Sequence, residues 1–114
     1  MLQHLLPMLL SLYETGFLSL EKIAEKAAEN PALFYGIQKR GYIQAGYCAD
    51  LVIADLSKPH TVQKEALYSK CGWSVFEGHT FSSTVEMTFV NGQLAYRDGQ
   101  IMEAVRGEQV LVTG

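Results

Sequence analysis

Between residues 85 and 102 the chain reads VEMTFVNGQLAYRDGQIM, and this stretch restricts the fold more than any other. Asn91-Gly92 is the dipeptide best suited to a two-residue hairpin turn, because both turn positions need positive φ and these residues tolerate it. Before the turn, Val85, Met87 and Phe89 alternate with Glu86 and Thr88. After it, Leu94 and Tyr96 alternate with Gln93 and Arg97. Alternation on both sides of a tight turn predicts an antiparallel pair with one apolar face. Asp98-Gly99 offers a second such turn into residues 100–103.

Other segments join this sheet. DLVIADL, residues 50–56, is an apolar β-branched run of the kind found in a buried strand. QVLVT, after Gly107, predicts a last strand. Residues 59–84 are rich in turn formers, with one short helix expected over residues 62–68.

The first forty residues follow a different period. Leu2, Leu5, Leu6, Leu9, Leu10 and Tyr13 recur at helical spacing and form one broad apolar face. Pro7 fits such a helix only within its first turn or as a kink, since it has no N–H and crowds the preceding turn. Gly16 suits the left-handed position after the last turn. Ser19 is positioned to cap a second helix, with Glu21 near its positive end. Leu20, Ile23, Ala24, Ala27 and Ala28 give that helix a narrow stripe, and the alanines permit close approach of a partner. Asn30-Pro31 is expected to end it and to open a short third helix closed by Gly36.

Helices followed by an antiparallel sheet make this an α+β chain, with a helical segment over residues 1–40 and a small β-sheet or sandwich portion over residues 41–114. At 114 residues it is one domain at most. The chain opens inside a helix, with no capping residue before Leu2, which is what a piece cut from a longer protein would do.

Composition removes several functions. Net charge is −3 and no basic cluster exceeds Lys39-Arg40, so a nucleic-acid footprint is absent. MLQHLLPMLLSLY lacks the charged leader and cleavage site of a signal peptide, and it is too short to span a bilayer. Cys48 and Cys71 lie far apart without a CxxC. Two buried thiols in a cytoplasmic protein is the expected state, and a disulfide the alternative.

KCGWSVFEGHTF, residues 70–81, has the mixture of an active site: a cysteine, an acid and a histidine around the single tryptophan. Its groups do not form a recognisable catalytic set. His4, His60 and His79 show no HxH, HxxH or HExxH spacing. A structural or solvent-facing role is expected for His4, surface exposure for His60 and a structural role for His79. Cys71 could pair with His79 or His60 as a nucleophile, but nothing nearby in sequence lowers its thiol pKa. Glu77 has no partner acid, and no GxSxG, GxGxxG or phosphate loop exists. Trp73 and Phe76, between Gly72 and Gly78, are expected to anchor the loop on a core.

Several motifs resemble the C-terminal portion of a cyclic amidohydrolase, most closely a dihydroorotase. NPALFYG (30–36) is similar to the family's segment after its last barrel helix. GYIQAGYCADLVIAD (41–55) is similar to its glycine-spaced turn and ADLV strand. The tryptophan loop resembles one in the dihydroorotase and allantoinase branch, with Val75 where proline is usual. VEMTFVNGQLAYRDGQI and VRGEQVL look like its closing hairpin and tail. The resemblance implies a parent enzyme that opens or closes the cyclic amide of dihydroorotate in pyrimidine synthesis. It also implies a zinc-activated hydroxide at the mouth of a (β/α)8 barrel of roughly 200 residues or more. Its metal-binding HxH pair, further histidines, carboxylated lysine and aspartate would all precede Met1.

The expectation for this chain is therefore scaffold: no catalytic, cofactor-binding or metal-ligating residue, no zinc of its own, and no turnover alone. A small-molecule substrate in the parent, no nucleic-acid or membrane partner, a homo-oligomeric state and a cytoplasmic location complete it. An allantoinase or hydantoinase fragment is the nearest alternative. A free-standing structural or interaction domain, docking a partner through its apolar helices, is the alternative of another class.

Overall fold

A computed structural model describes residues 2–113. The chain divides into two units. One joins the N-terminal eighteen residues to residues 54–85, and the other joins residues 19–53 to the C-terminal stretch from Glu86.

In the first unit, a 3-10 turn (Leu2–His4) leads into helix α1 (Leu5–Glu14). Pro7 falls in the first turn of α1, the place where its missing N–H costs nothing. Gly16, at φ +79°, ends the helix as expected: its N–H bonds to the Tyr13 carbonyl and the Phe17 N–H reaches back to Leu12. The buried stripe of this helix is His4, Pro7 and Leu10. The leucine face read from the sequence is offset from it, because Leu5 and Tyr13 are exposed.

In the second unit, Ser19 caps helix α2 (Leu20–Ala24), its hydroxyl accepting from the Lys22 N–H at 3.1 Å. The expected break at Asn30-Pro31 does not occur. Asn30 keeps helical dihedrals rather than capping, and α2 runs through a π-helical turn (Glu25–Glu29) into α3 (Asn30–Phe34). The physical reason is local. A proline removes one N–H and crowds the carbonyl four residues back, and a wider turn just before it accommodates both. Gly36, at φ +65°, closes α3, with Gly36 N–H on Leu33 and Ile37 N–H on Ala32.

The four-stranded sheet runs in the order β1-β4-β5-β6, with β1 Leu51–Asp55, β4 Thr84–Val90, β5 Gln93–Arg97 and β6 Gln100–Ile101. Both turns predicted from the sequence form it: Asn91-Gly92 (φ +50°, +79°) and Asp98-Gly99 (φ +48°, +88°). Strict alternation fails at one point. Phe89 faces Leu94 but Thr88 faces Tyr96, so Ala95 is an extra residue, a bulge whose carbonyl accepts from the Met102 N–H. Three expectations are corrected. β1 is apolar yet leaves Val52 and Ile53 about half exposed. The 62–68 helix shrinks to one 3-10 turn, Lys64–Ala66. The QVLVT strand reduces to an isolated bridge between Val112 and Ile37, flanked by Gln38 N–H on Leu111 and Thr113 N–H on Gly36.

Buried apolar side chains are few: among the described residues, Pro7, Leu10, Val62 and Phe81 in the first unit, and Ile23 and Ala32 in the second. Ile43 (91% exposed), Phe34 (82%) and Phe17 (77%) face solvent.

Candidate functional site

The first unit gathers its chemistry-bearing side chains around a short ribbon that the sequence did not announce. Strand β2 (His60–Thr61) pairs antiparallel with β3 (Thr80–Phe81), matching His60 with Phe81 and Thr61 with Thr80. The two threonine hydroxyls meet at 2.7 Å, and bonds from Val62 N–H to His79 and from Gly78 N–H to Val62 continue the closure. The ribbon clips together the two ends of the 62–79 loop. Gly78, at φ +82°, turns the chain back into β3.

His4 lies against this ribbon. Its ring stacks on Phe81 at 5.9 Å between centroids and on His60 at 6.2 Å, with Phe76 edge-on at 6.3 Å. Phe76 and His79 pack in turn on Phe81, at 5.4 and 4.5 Å. Phe81 is 2% exposed and His4 6%. The Nδ1 of His60 lies 2.9 Å from the Ser83 carbonyl and 3.2 Å from Thr84 Oγ1. A carbonyl only accepts, so Nδ1 carries the proton and Nε2 is left as the basic nitrogen. His4 is different: among the described residues its buried Nδ1 has no hydrogen-bond partner. Burial first, and the neighbouring His60 second, hold His4 below the usual imidazole pKa.

These positions revise the sequence reading. His60, expected at the surface, is half-buried and hydrogen-bonded. His4 is buried, and its i, i+3, i+6 spacing with Pro7 and Leu10 was the signal that could have found it. Of the two expected anchors, Phe76 packs inward while Trp73 stays 60% exposed.

Cys71 is exposed rather than buried, and both cysteines are free. Its sulfur bonds with Ser69 Oγ at 2.8 Å and the Trp73 carbonyl at 3.5 Å. The Ser69 hydroxyl holds the thiol below its ordinary pKa, a local cause that the sequence reading did not anticipate. Glu77 is exposed. Among the described residues no three His, Cys, Asp or Glu side chains are placed to hold a metal ion. His4 and His60 stack ring on ring instead of converging on one point, so zinc does not fit these donors.

The second unit has a polar cluster at the hairpin turn. Asp50 Oδ1 accepts from the Asn91 N–H at 2.8 Å, and its Oδ2 pairs with Arg40. Arg40 also donates to Asn91 Oδ1 at 2.9 Å. Gly92 N–H bonds to the Ala49 carbonyl at 2.9 Å, so the turn is tied to the residues just before β1. This cluster is a brace for the backbone.

Helices, a small antiparallel sheet and these braces define an α+β scaffold, and comparison with known proteins assigns it. The Amidohydrolase family model matches residues 1–95, and the chain belongs to that family. It is 32% identical over 108 residues to a dihydroorotase of Pyrococcus furiosus, covering 95% of this chain and 26% of the relative. It is 38% identical over 79 residues to an allantoinase of Bacillus velezensis, covering 69% of this chain and 17% of the relative. Among solved structures, the L-hydantoinase (dihydropyrimidinase) of Arthrobacter aurescens superposes with a TM-score of 0.83 at 33% identity, covering 92% of this chain and 24% of that one. The chain thus spans about a quarter of the length of the dihydroorotase and hydantoinase it matches.

Proposed function

We propose that this chain is the C-terminal portion of a dihydroorotase-type cyclic amidohydrolase and contributes scaffold rather than reacting groups. One observation carries the reading: nearly the whole chain aligns with dihydroorotase, yet it accounts for only 26% of that relative. The exposed Phe34, Ile43 and Phe17 agree with it, since apolar surface of this extent is normally covered by something. In the parent, a zinc ion would supply an activated hydroxide for the cyclic amide. The residues holding it would lie on polypeptide ahead of Met1. On this reading residues 1–40 are the end of the barrel and residues 41–114 belong to a β-sandwich beside it. The parent acts on dihydroorotate in the cytoplasm as a homo-oligomer.

The purified chain is expected to contain no stoichiometric zinc and to leave dihydroorotate unchanged. Stoichiometric metal together with turnover overturns the scaffold role. The reading frame ahead of the Met1 codon tests the parentage: an HxH-encoding continuation is expected, and a stop codon there removes it. The similarity to the B. velezensis allantoinase and the A. aurescens hydantoinase supports a second reading, in which the parent opens a different cyclic ureide. Assaying that parent with dihydroorotate, allantoin and hydantoin side by side separates the two.

A further inference from the structure

The stacked histidines have no part in the scaffold role proposed for this chain. His4 lies on the N-terminal helical segment, and His60 lies on the ribbon that closes the 62–79 loop. Two rings 6.2 Å apart and inclined by 24° share the face of one buried phenylalanine. The site accommodates neutral rings. His4 Nδ1 is orphaned, and His60 has its one donor already bound to Ser83. A proton added to His4 creates a cation against Phe81 and Phe76, and one added to His60 a cation against Phe81; among the described residues no carboxylate is a hydrogen-bond partner of either ring. A proton on both creates two cations face to face.

We propose that the His4–His60 stack is an acid-labile latch that holds the 62–79 loop against the N-terminal helical segment.

The latch has a defined span. The same loop is tied to the same segment by Gln3, whose side chain donates to the Ala66 carbonyl and accepts from the Tyr68 N–H, both at 2.9 Å. Both bonds are exposed, so water competes for them and the buried stack decides whether the loop stays down. Among the described residues, the titratable groups in this packing are His60 from β2 and His79 from the end of the loop. His79 reaches the stack through Phe81 and Phe76 and is itself exposed. From β3 the contacting group is Phe81, which does not titrate. Burial and the neighbouring His60 ring both disfavour a charge on His4, and its pKa is displaced in that direction.

Hydrogen exchange by NMR on the 114-residue chain tests the latch. After correction for intrinsic exchange, protection of the Val62, Tyr68 and Gly78 amides is expected to fall at least tenfold from pH 7.5 to pH 5. Protection at Gly92 and Ile37 is expected to hold. In His4→Phe, which keeps an apolar ring without a proton site, the loop amides should lose less than threefold. Equal losses in both proteins, equal losses at Gly92, or no loss overturn the proposal. If His4→Phe does not fold, the wild-type His4 ring signal decides. Titration below pH 6.5 in step with the loop amides supports the latch, and titration at or above 6.5 overturns it.

Discussion

The Asp50 carboxylate accepts the Asn91 backbone N–H at 2.8 Å, joining the residue that enters β1 to the turn between β4 and β5. Asn91 adopts φ +50°, a conformation that asparagine tolerates better than most residues with a side chain, and the bond helps to hold the turn there. Arg40, whose side chain is only 14% exposed, closes the brace by pairing with both residues.

Removing that carboxylate should be costly. Asp50→Ala frees the Asn91 N–H and takes its carboxylate from the largely covered Arg40 guanidinium, which keeps Asn91 Oδ1 as an acceptor, for a loss of about 1–2 kcal/mol in urea denaturation. Lys22→Ala, which breaks an ion pair between side chains 47% and 45% exposed, should change stability by no more than about 0.5 kcal/mol. Equal effects of the two would show that the brace contributes nothing beyond a surface ion pair.

Two glycines with similar backbones should respond differently to alanine. Gly41 (φ +91°) and Gly46 (φ +86°) both sit in the left-handed region. A Cβ on Gly41 would lie 2.7 Å from Ala32 Cβ and 2.8 Å from the Ala28 carbonyl, whereas one on Gly46 meets nothing within 4 Å. Gly46→Ala is expected to cost about 1 kcal/mol of backbone strain, and Gly41→Ala about 2–4 kcal/mol, since it adds a clash with helix backbone. Thermal melts of both variants check the ordering.

Acid should destabilise the fold through His4. Its pKa is lowered in the native state, so between the ordinary imidazole value near 6.5 and the native value the unfolded chain binds more protons. Stability therefore rises with pH through that window and is lost as pH falls through it. Urea midpoints at pH 7.5, 6.5 and 5.5 should decline for the wild type, and His4→Phe should flatten the decline. An unchanged slope would place the effect on other groups.

Cys71 should alkylate first. It is exposed and its thiolate is favoured by Ser69, while Cys48 is half-buried. Iodoacetamide labelling followed by mass spectrometry is expected to modify Cys71 several-fold faster, and Ser69→Ala should narrow the gap.

Much of the local structure was legible in the residues. Gly16 and Gly36 end their helices, Ser19 caps α2, and Asn91-Gly92 and Asp98-Gly99 turn their hairpins. Each is decided by steric limits on one or two residues, so a short window contains the whole cause. The errors cluster where the cause is distant. Asn30-Pro31 looked like a break because the π-turn that absorbs Pro31 has no sequence mark of its own. QVLVT has strand composition, but among the described residues a single bridge, to Ile37, receives it.

The candidate site belongs to the second kind. The residues alone announced a tryptophan loop, three separated histidines and the absence of a local catalytic motif, and a family resemblance in their order. That His4 lies buried on His60 and Phe81, whereas Cys71 and Trp73 remain in water, was decided by tertiary structure. Turn and cap chemistry acts within a few bonds along the chain. Stacking, desolvation and an unpartnered ring nitrogen arise only when residues more than fifty positions apart are brought together, and spacing along the sequence carries no record of that.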